Sequence, residues 1–220
     1  MKKIVFALMA MSLMTVNFVN AQDKEEKSND FKKWQVRVRA LGVAPDESAT
    51  IGVIGGDVNI SNTIVPELDF TYFFTKNFAA ELILGTTKHN VEAVNTVAGN
   101  VDLGSVWLLP PTLTGQYHFY TSDSKVFKPY VGAGVNYTFF YNVKSGAVAD
   151  VKYDNAFGFA AQLGFDLMLD DKFFINVDAK RLFLNTDVTV DASNLAPGLI
   201  VPADVDINPW LLGVGVGMKF

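Results

Sequence analysis

The ten residues from Leu211 to Phe220 alternate strictly, and that alternation limits what the chain can fold into. Leu212, Val214, Val216, Met218 and Phe220 share one face; Leu211, Gly213, Gly215, Gly217 and Lys219 share the other. A period of two belongs to a β-strand, because successive side chains of an extended chain point to opposite sides. One face is continuously apolar and large, while the other is small and polar. Such a strand needs an apolar medium on one side and a crowded, narrow space on the other.

The pattern recurs upstream. After Lys33 the chain breaks into eight alternating segments of roughly 10 to 14 residues separated by polar or Gly-, Asn- and Asp-rich stretches, the pattern of an antiparallel barrel. The spacing predicts strands over 34–43, 64–74, 78–87, 106–120, 128–141, 155–169, 173–185 and 207–220. In the first, Trp34, Val36, Val38 and Ala40 oppose Gln35, Arg37 and Arg39; in the second, Leu68, Phe70, Tyr72 and Phe74 oppose Glu67, Asp69 and Thr71. Short connections at 75–77, 121–127 and 170–172 alternate with long ones at 44–63, 88–105, 142–154 and 186–206. Short turns on one side and long loops on the other fit an up-and-down barrel that crosses a membrane with its long loops outside. Within the second long loop, Val91 to Val101 has helical spacing and is expected to fold over the mouth as a lid. A soluble eight-stranded barrel shares the alternation. The glycines separate the two cases: Gly132, Gly134, Gly158, Gly164, Gly213, Gly215 and Gly217 share faces with Asn136, Gln162, Asp166 and Lys219. Small polar groups suit a crowded interior, and the Val, Leu and Phe opposite them suit lipid.

The amino terminus gives an address. Met1-Lys2-Lys3 precedes an apolar run to Met14, and Val19-Asn20-Ala21 offers small residues, which predicts a secretory signal cut after Ala21. Residues 22–33 form a charged periplasmic lead-in, and 34–220 the barrel. Removing Lys2 and Lys3 from the 18 basic residues leaves 16 against 23 acidic ones, so nucleic acid is not an expected partner. Cysteine is absent, which excludes thiol chemistry and disulfides. No uncharged apolar run is long enough for a spanning helix.

Three motifs are specific enough to name a family. Leu109-Pro110-Pro111-Thr112-Leu113 followed by Gln116, then Pro129-Tyr130-Val131-Gly132-Ala133-Gly134-Val135-Asn136-Tyr137, and Asn208-Pro209-Trp210 before the last strand resemble the OmpW family of outer-membrane proteins. The resemblance covers the chain after the lead-in. Gly217-Met218-Lys219-Phe220 departs from the usual family ending but keeps the base and the terminal aromatic, and Asp178, Lys180 and Arg181 stand where other members tend to be apolar. The resemblance implies an eight-stranded outer-membrane barrel with a narrow apolar path for small hydrophobic molecules. It also implies outer-membrane lipid and lipopolysaccharide as surroundings, and a barrel-insertion machinery that reads Phe220.

Alternation places Arg37, Arg39, Glu67, Asp69, Glu81, Asp166, Asp178 and Lys180 inside the barrel, where unpaired charges are costly, so a crossing network of ion pairs is expected. Ile83, Leu108, Leu182 and Leu184 fall on the same inward phases towards the outer mouth and form a candidate apolar antechamber; simple packing is the alternative reading. Pro110 and Pro111 cannot donate ladder hydrogen bonds, which makes them either a candidate lateral exit into the outer leaflet or a bend where the strand leaves the membrane. An enzyme working from the barrel wall would need a base and a nucleophile in reach of one another; His89, His118 and Ser105 are scattered, so no catalytic residue, cofactor or metal is expected. The competing function is a sealed structural or surface-receptor barrel without transport.

Overall fold

The computed structural model describes residues 32–119 and 126–220. The signal and nearly all of the lead-in, together with most of the turn expected at 121–127, lie outside the described residues. Among the described residues there are fourteen strands: β1 (Trp34–Ala44), β2 (Ser48–Ile51), β3 (Asp57–Ile60), β4 (Thr63–Phe73), β5 (Phe78–Gly85), β6 (Thr87–Thr96), β7 (Gly99–Leu109), β8 (Thr112–His118), β9 (Phe127–Lys144), β10 (Asp150–Tyr153), β11 (Ala156–Met168), β12 (Phe173–Asp191), β13 (Ile200–Asp206) and β14 (Trp210–Lys219).

Eight of them close a barrel. The hydrogen-bonded circuit runs β1, β4, β5, β8, β9, β11, β12, β14 and back to β1, every pair antiparallel. Closure leaves no free edge in the wall, which satisfies the backbone without water. Outward residues of β14 such as Leu212, Val214 and Val216 are about 60% exposed, whereas Arg37, Glu81 and Asp166 are wholly buried. The chain is therefore inside out relative to a soluble protein, with charge in the core and grease on the surface.

Register explains the glycines of the last strand. Gly213, Gly215 and Gly217 lie opposite Leu41, Arg39 and Arg37 of β1 on one side and opposite Asp178, Asn176 and Phe174 of β12 on the other. A Cβ at Gly217 would strike the Phe174 ring and the Arg37 side chain. The missing side chains of β14 make the room that the arginines occupy.

Above this barrel the strands continue. The upper half of β9 pairs with β7, β7 with β6 and β6 with β3; the upper half of β12 pairs with β10 and β13, and β13 with β2. Three expectations are corrected here. The segments expected as long loops, 44–63, 88–105, 142–154 and 186–206, carry β2, β3, β6, β10, β13 and parts of β7, β9 and β12. The expected helical lid at Val91–Val101 is the β6–β7 hairpin with a β-bulge, because its inward Val91 and Ala93 pack against neighbouring sheet. The single strand expected over 106–120 is two, β7 and β8, parted by Pro110 and Pro111, which have no N–H for the ladder.

Candidate functional site

The lower half of the barrel is filled by a polar belt. Arg37 donates through Nε to Asp69 at 2.7 Å and through its terminal nitrogens to Thr71 at 2.9 Å, Tyr130 at 3.2 Å and Glu81. Arg39 reaches Glu67 at 2.7 Å, Asp69 at 2.8 Å, Asn176 at 3.0 Å and Asp178 at 3.4 Å. Lys180 bridges Glu67 at 3.1 Å and Asp178 at 2.9 Å. Asp166 accepts from Asn176 at 2.9 Å and lies 3.6 Å from Arg37. The structure thus brings together all eight charged residues that alternation had placed inside. Paired in this way, charges from five different strands tie the wall across its own lumen.

Sequence reasoning missed the neutral members of the belt. Gln162 donates to Glu81 and Asp178, both at 2.8 Å, Gln116 donates to Glu81 at 2.7 Å, and the Tyr130 hydroxyl donates to Asp178 at 2.7 Å. Their inward phase was readable, but nothing in the sequence says which groups meet across the barrel. Beneath the belt an aromatic layer fills the lower end: His118 lies 4.8 Å from the Phe73 ring and 4.9 Å from the Tyr130 ring, and Lys219 lies 5.0 Å over Phe73 and 5.6 Å over Phe174. Gln35, Phe73, His118 and Phe174 are at most 1% exposed.

Above the belt the character reverses. A cavity of about 310 Å³ is walled by both extension sheets and floored by Glu67 and Lys180. Ile83, Leu108, Leu182 and Leu184, the expected antechamber residues, all line it. Most of its wall comes from segments that were expected to be loops, including Val91, Val188, Val201 and Val205. The signal was present in stretches such as Asp187-Val188-Thr189-Val190-Asp191, too short to separate from a loop without knowledge of a partner strand.

Pro110 also lines this cavity. At the two prolines the wall is held by side chains. Thr112 donates to the Pro110 carbonyl at 3.0 Å, Asn136 to the carbonyls of Pro110 and Pro111 at 3.2 and 3.3 Å, and Thr86 to that of Leu108 at 3.0 Å. A backbone bond also runs there, from the Tyr137 N–H to the Pro111 carbonyl at 3.2 Å. Main-chain pairing of β5 with β8 ends at Ile83 and Thr112, and that of β4 with β5 ends at Glu67 and Gly85.

The residues weighed for catalysis do not converge. His118 lies in the aromatic layer and His89 in the outer extension; Ser105 pairs with Asn90, on the opposite face of the sheet from His89. Phe220 exchanges two backbone hydrogen bonds with Trp34, at 2.9 and 3.0 Å, and its side chain is exposed on the lipid face.

A closed antiparallel barrel with an apolar outer belt and a charged, packed interior defines an integral outer-membrane β-barrel protein. The chain matches the OmpW family over residues 32–220 and belongs to it. It is 49% identical over 189 residues to an outer-membrane protein of Sinorhizobium fredii, covering 85% of this chain and 80% of that one. It is 28% identical over 195 residues to the dibenzothiophene metabolism operon protein PahQ of Pseudomonas aeruginosa, covering 85% and 88%. Among solved structures it superposes on the outer membrane protein OprG of Pseudomonas aeruginosa with a TM-score of 0.79 and 27% identity, covering 86% of this chain and 96% of that one.

Proposed function

We propose that the protein is a narrow passive conduit that takes small hydrophobic molecules into its outer cavity and releases them sideways beside Pro110 and Pro111. The observation that carries this reading is the apolar cavity standing directly on a charged, close-packed belt. An apolar molecule gains by entering the cavity, at roughly 25 cal/mol per Å² of apolar surface removed from water. Descent through the belt would strip ion pairs of their partners, at several kcal/mol each. The way out of least cost is lateral, through the stretch of wall where side chains replace ladder bonds. The name of PahQ ties one relative to the metabolism of a small apolar aromatic, in keeping with such a cargo. In this reading Phe220 serves as the terminal signal for the barrel-insertion machinery.

The test uses proteoliposomes carrying lipopolysaccharide in the outer leaflet, with entry of naphthalene followed by fluorescence. The wild type is expected to accelerate entry over protein-free vesicles, Ile83→Trp to slow it by filling the cavity, and Pro110→Val with Pro111→Val to slow it by restoring ladder donors. Unchanged flux in a folded double-proline variant rules out the lateral route. In planar bilayers the protein is expected to carry no steady ion current; discrete currents would overturn the sealed belt.

A further inference from the structure

The apolar outer cavity contains polar atoms that the protein leaves without partners. On β6 the inward face carries Thr87 and His89 in succession, 6% and 3% exposed, and both line the cavity. His89 Nδ1 lies 2.6 Å from the Ser61 carbonyl oxygen. A carbonyl only accepts, so Nδ1 carries the hydrogen, and in the neutral ring Nε2 is left as a bare acceptor. Burial favours that neutral ring by pushing the His89 pKa below its ordinary value, against smaller opposing effects of the Ser61 hydrogen bond and the Glu47 charge. Among the described residues nothing hydrogen-bonds His89 Nε2 or the Thr87 hydroxyl, and the same holds for the Tyr153 hydroxyl on the β10 wall, whose ring stacks on Phe140 at 5.4 Å.

The register places these groups around one apolar stretch. Thr87 pairs with Leu108 and Leu108 with Phe140, so a cross-strand row runs from Thr87 to the ring under Tyr153 over about 10 Å, two strand spacings. His89 stands one inward position above Thr87. Lys88, Asn90 and Glu92 are exposed on the outward face of β6, so this part of the wall stands above the hydrocarbon layer. A polar atom that lines an apolar cavity without a protein partner is available to a ligand, and a cavity built only for hydrocarbon would have no use for an imidazole acceptor.

We propose that His89 and Thr87 form a hydrogen-bonding subsite within the cavity, and that its preferred ligands are apolar molecules bearing one hydroxyl, such as phenols, in preference to plain hydrocarbons. The ligand's O–H donates to His89 Nε2, its oxygen accepts from Thr87, and its apolar body lies along Leu108 towards Phe140. This rests on the reading of the cavity as a ligand site and names the class of ligand.

The test compares three ligands of nearly one shape, 1-naphthol, naphthalene and 1-methoxynaphthalene, on the full chain in lipid nanodiscs, with protein-free nanodiscs subtracted. The wild type is expected to bind 1-naphthol on the order of fivefold more tightly than either other compound, as one net hydrogen bond gives. Methoxynaphthalene keeps the oxygen but lacks the donor, so it separates donation to His89 from general polarity without any mutation. His89→Phe and Thr87→Val are each expected to bring the ratio of 1-naphthol to naphthalene affinity from about fivefold towards one, whatever either does to naphthalene binding itself. Equal affinity for all three compounds overturns the subsite and leaves the cavity reading intact. A preference for 1-naphthol that survives both substitutions also overturns it. Absence of binding by any of the three overturns the cavity reading, and the subsite with it.

Discussion

Replacing Arg37 by Met leaves the barrel wall intact and removes the hub of the belt. Arg37 is wholly buried and serves Asp69, Glu81, Thr71 and Tyr130 by hydrogen bonds, with Asp166 at 3.6 Å. The belt holds three cations, Arg37, Arg39 and Lys180, against the five carboxylates Glu67, Asp69, Glu81, Asp166 and Asp178, so losing one cation deepens an existing excess of negative charge. Met fills much of the same volume, so the loss is electrostatic. Removing one partner from a buried ion pair costs about 3–5 kcal/mol, because the other charge stays buried and uncompensated. At a urea slope of about 2 kcal/mol per molar, that lowers the unfolding midpoint by about 2 M. The assay is reversible urea unfolding in lipid vesicles, read by tryptophan fluorescence. Arg37→Met combined with Glu81→Gln is expected to lose less than Arg37→Met alone, since one stranded carboxylate is then neutral. The control is Lys152→Met, which breaks the exposed Lys152–Asp154 pair at 3.8 Å and should cost less than about 1 kcal/mol. If Arg37→Met costs no more than this control, the belt does not brace the barrel.

Gly164→Val tests close packing inside the belt: a Cβ there would sit 2.6 Å from the Tyr130 ring and 2.7 Å from the Val177 carbonyl, so a loss of about 1–3 kcal/mol is expected in the same unfolding assay. His89 supplies a pH test. Its pKa is lowered in the folded protein, chiefly by burial, so below its ordinary value of 6.5 the unfolded chain binds the extra proton and the folded state loses stability. The stability of wild type relative to His89→Phe is therefore expected to fall as pH drops from 7 to 5, and a difference independent of pH would contradict a neutral, buried His89.

The staves of the barrel were legible because alternation is a local signal. From β1 to β14, inward and outward residues could be assigned from the period alone, and Arg37, Asp69, Glu81 and Lys180 lie inside as their phase requires. The outer extension was not legible. Segments such as Val188 to Val190 or Val201 to Val205 are short, and polar residues flank them, so only pairing with β10, β12 or β2 distinguishes them from loops. The Val91–Val101 segment misled because two inward residues per turn of hairpin, interrupted by a bulge, imitate a helical spacing.

By itself the sequence determined that the chain crosses a membrane with strands, that its interior is charged and that its surface is apolar, because each follows from which residues share a face. Only the tertiary structure decided that the charges pair across the lumen, that the outer extension walls an apolar cavity above them, and that His89 and Thr87 line that cavity. Those outcomes depend on register and on contacts between strands far apart in the chain, as when Lys180 meets Glu67 or Tyr130 meets Asp178. A period of two fixes the side of a strand on which a residue stands, and leaves open which residue stands opposite.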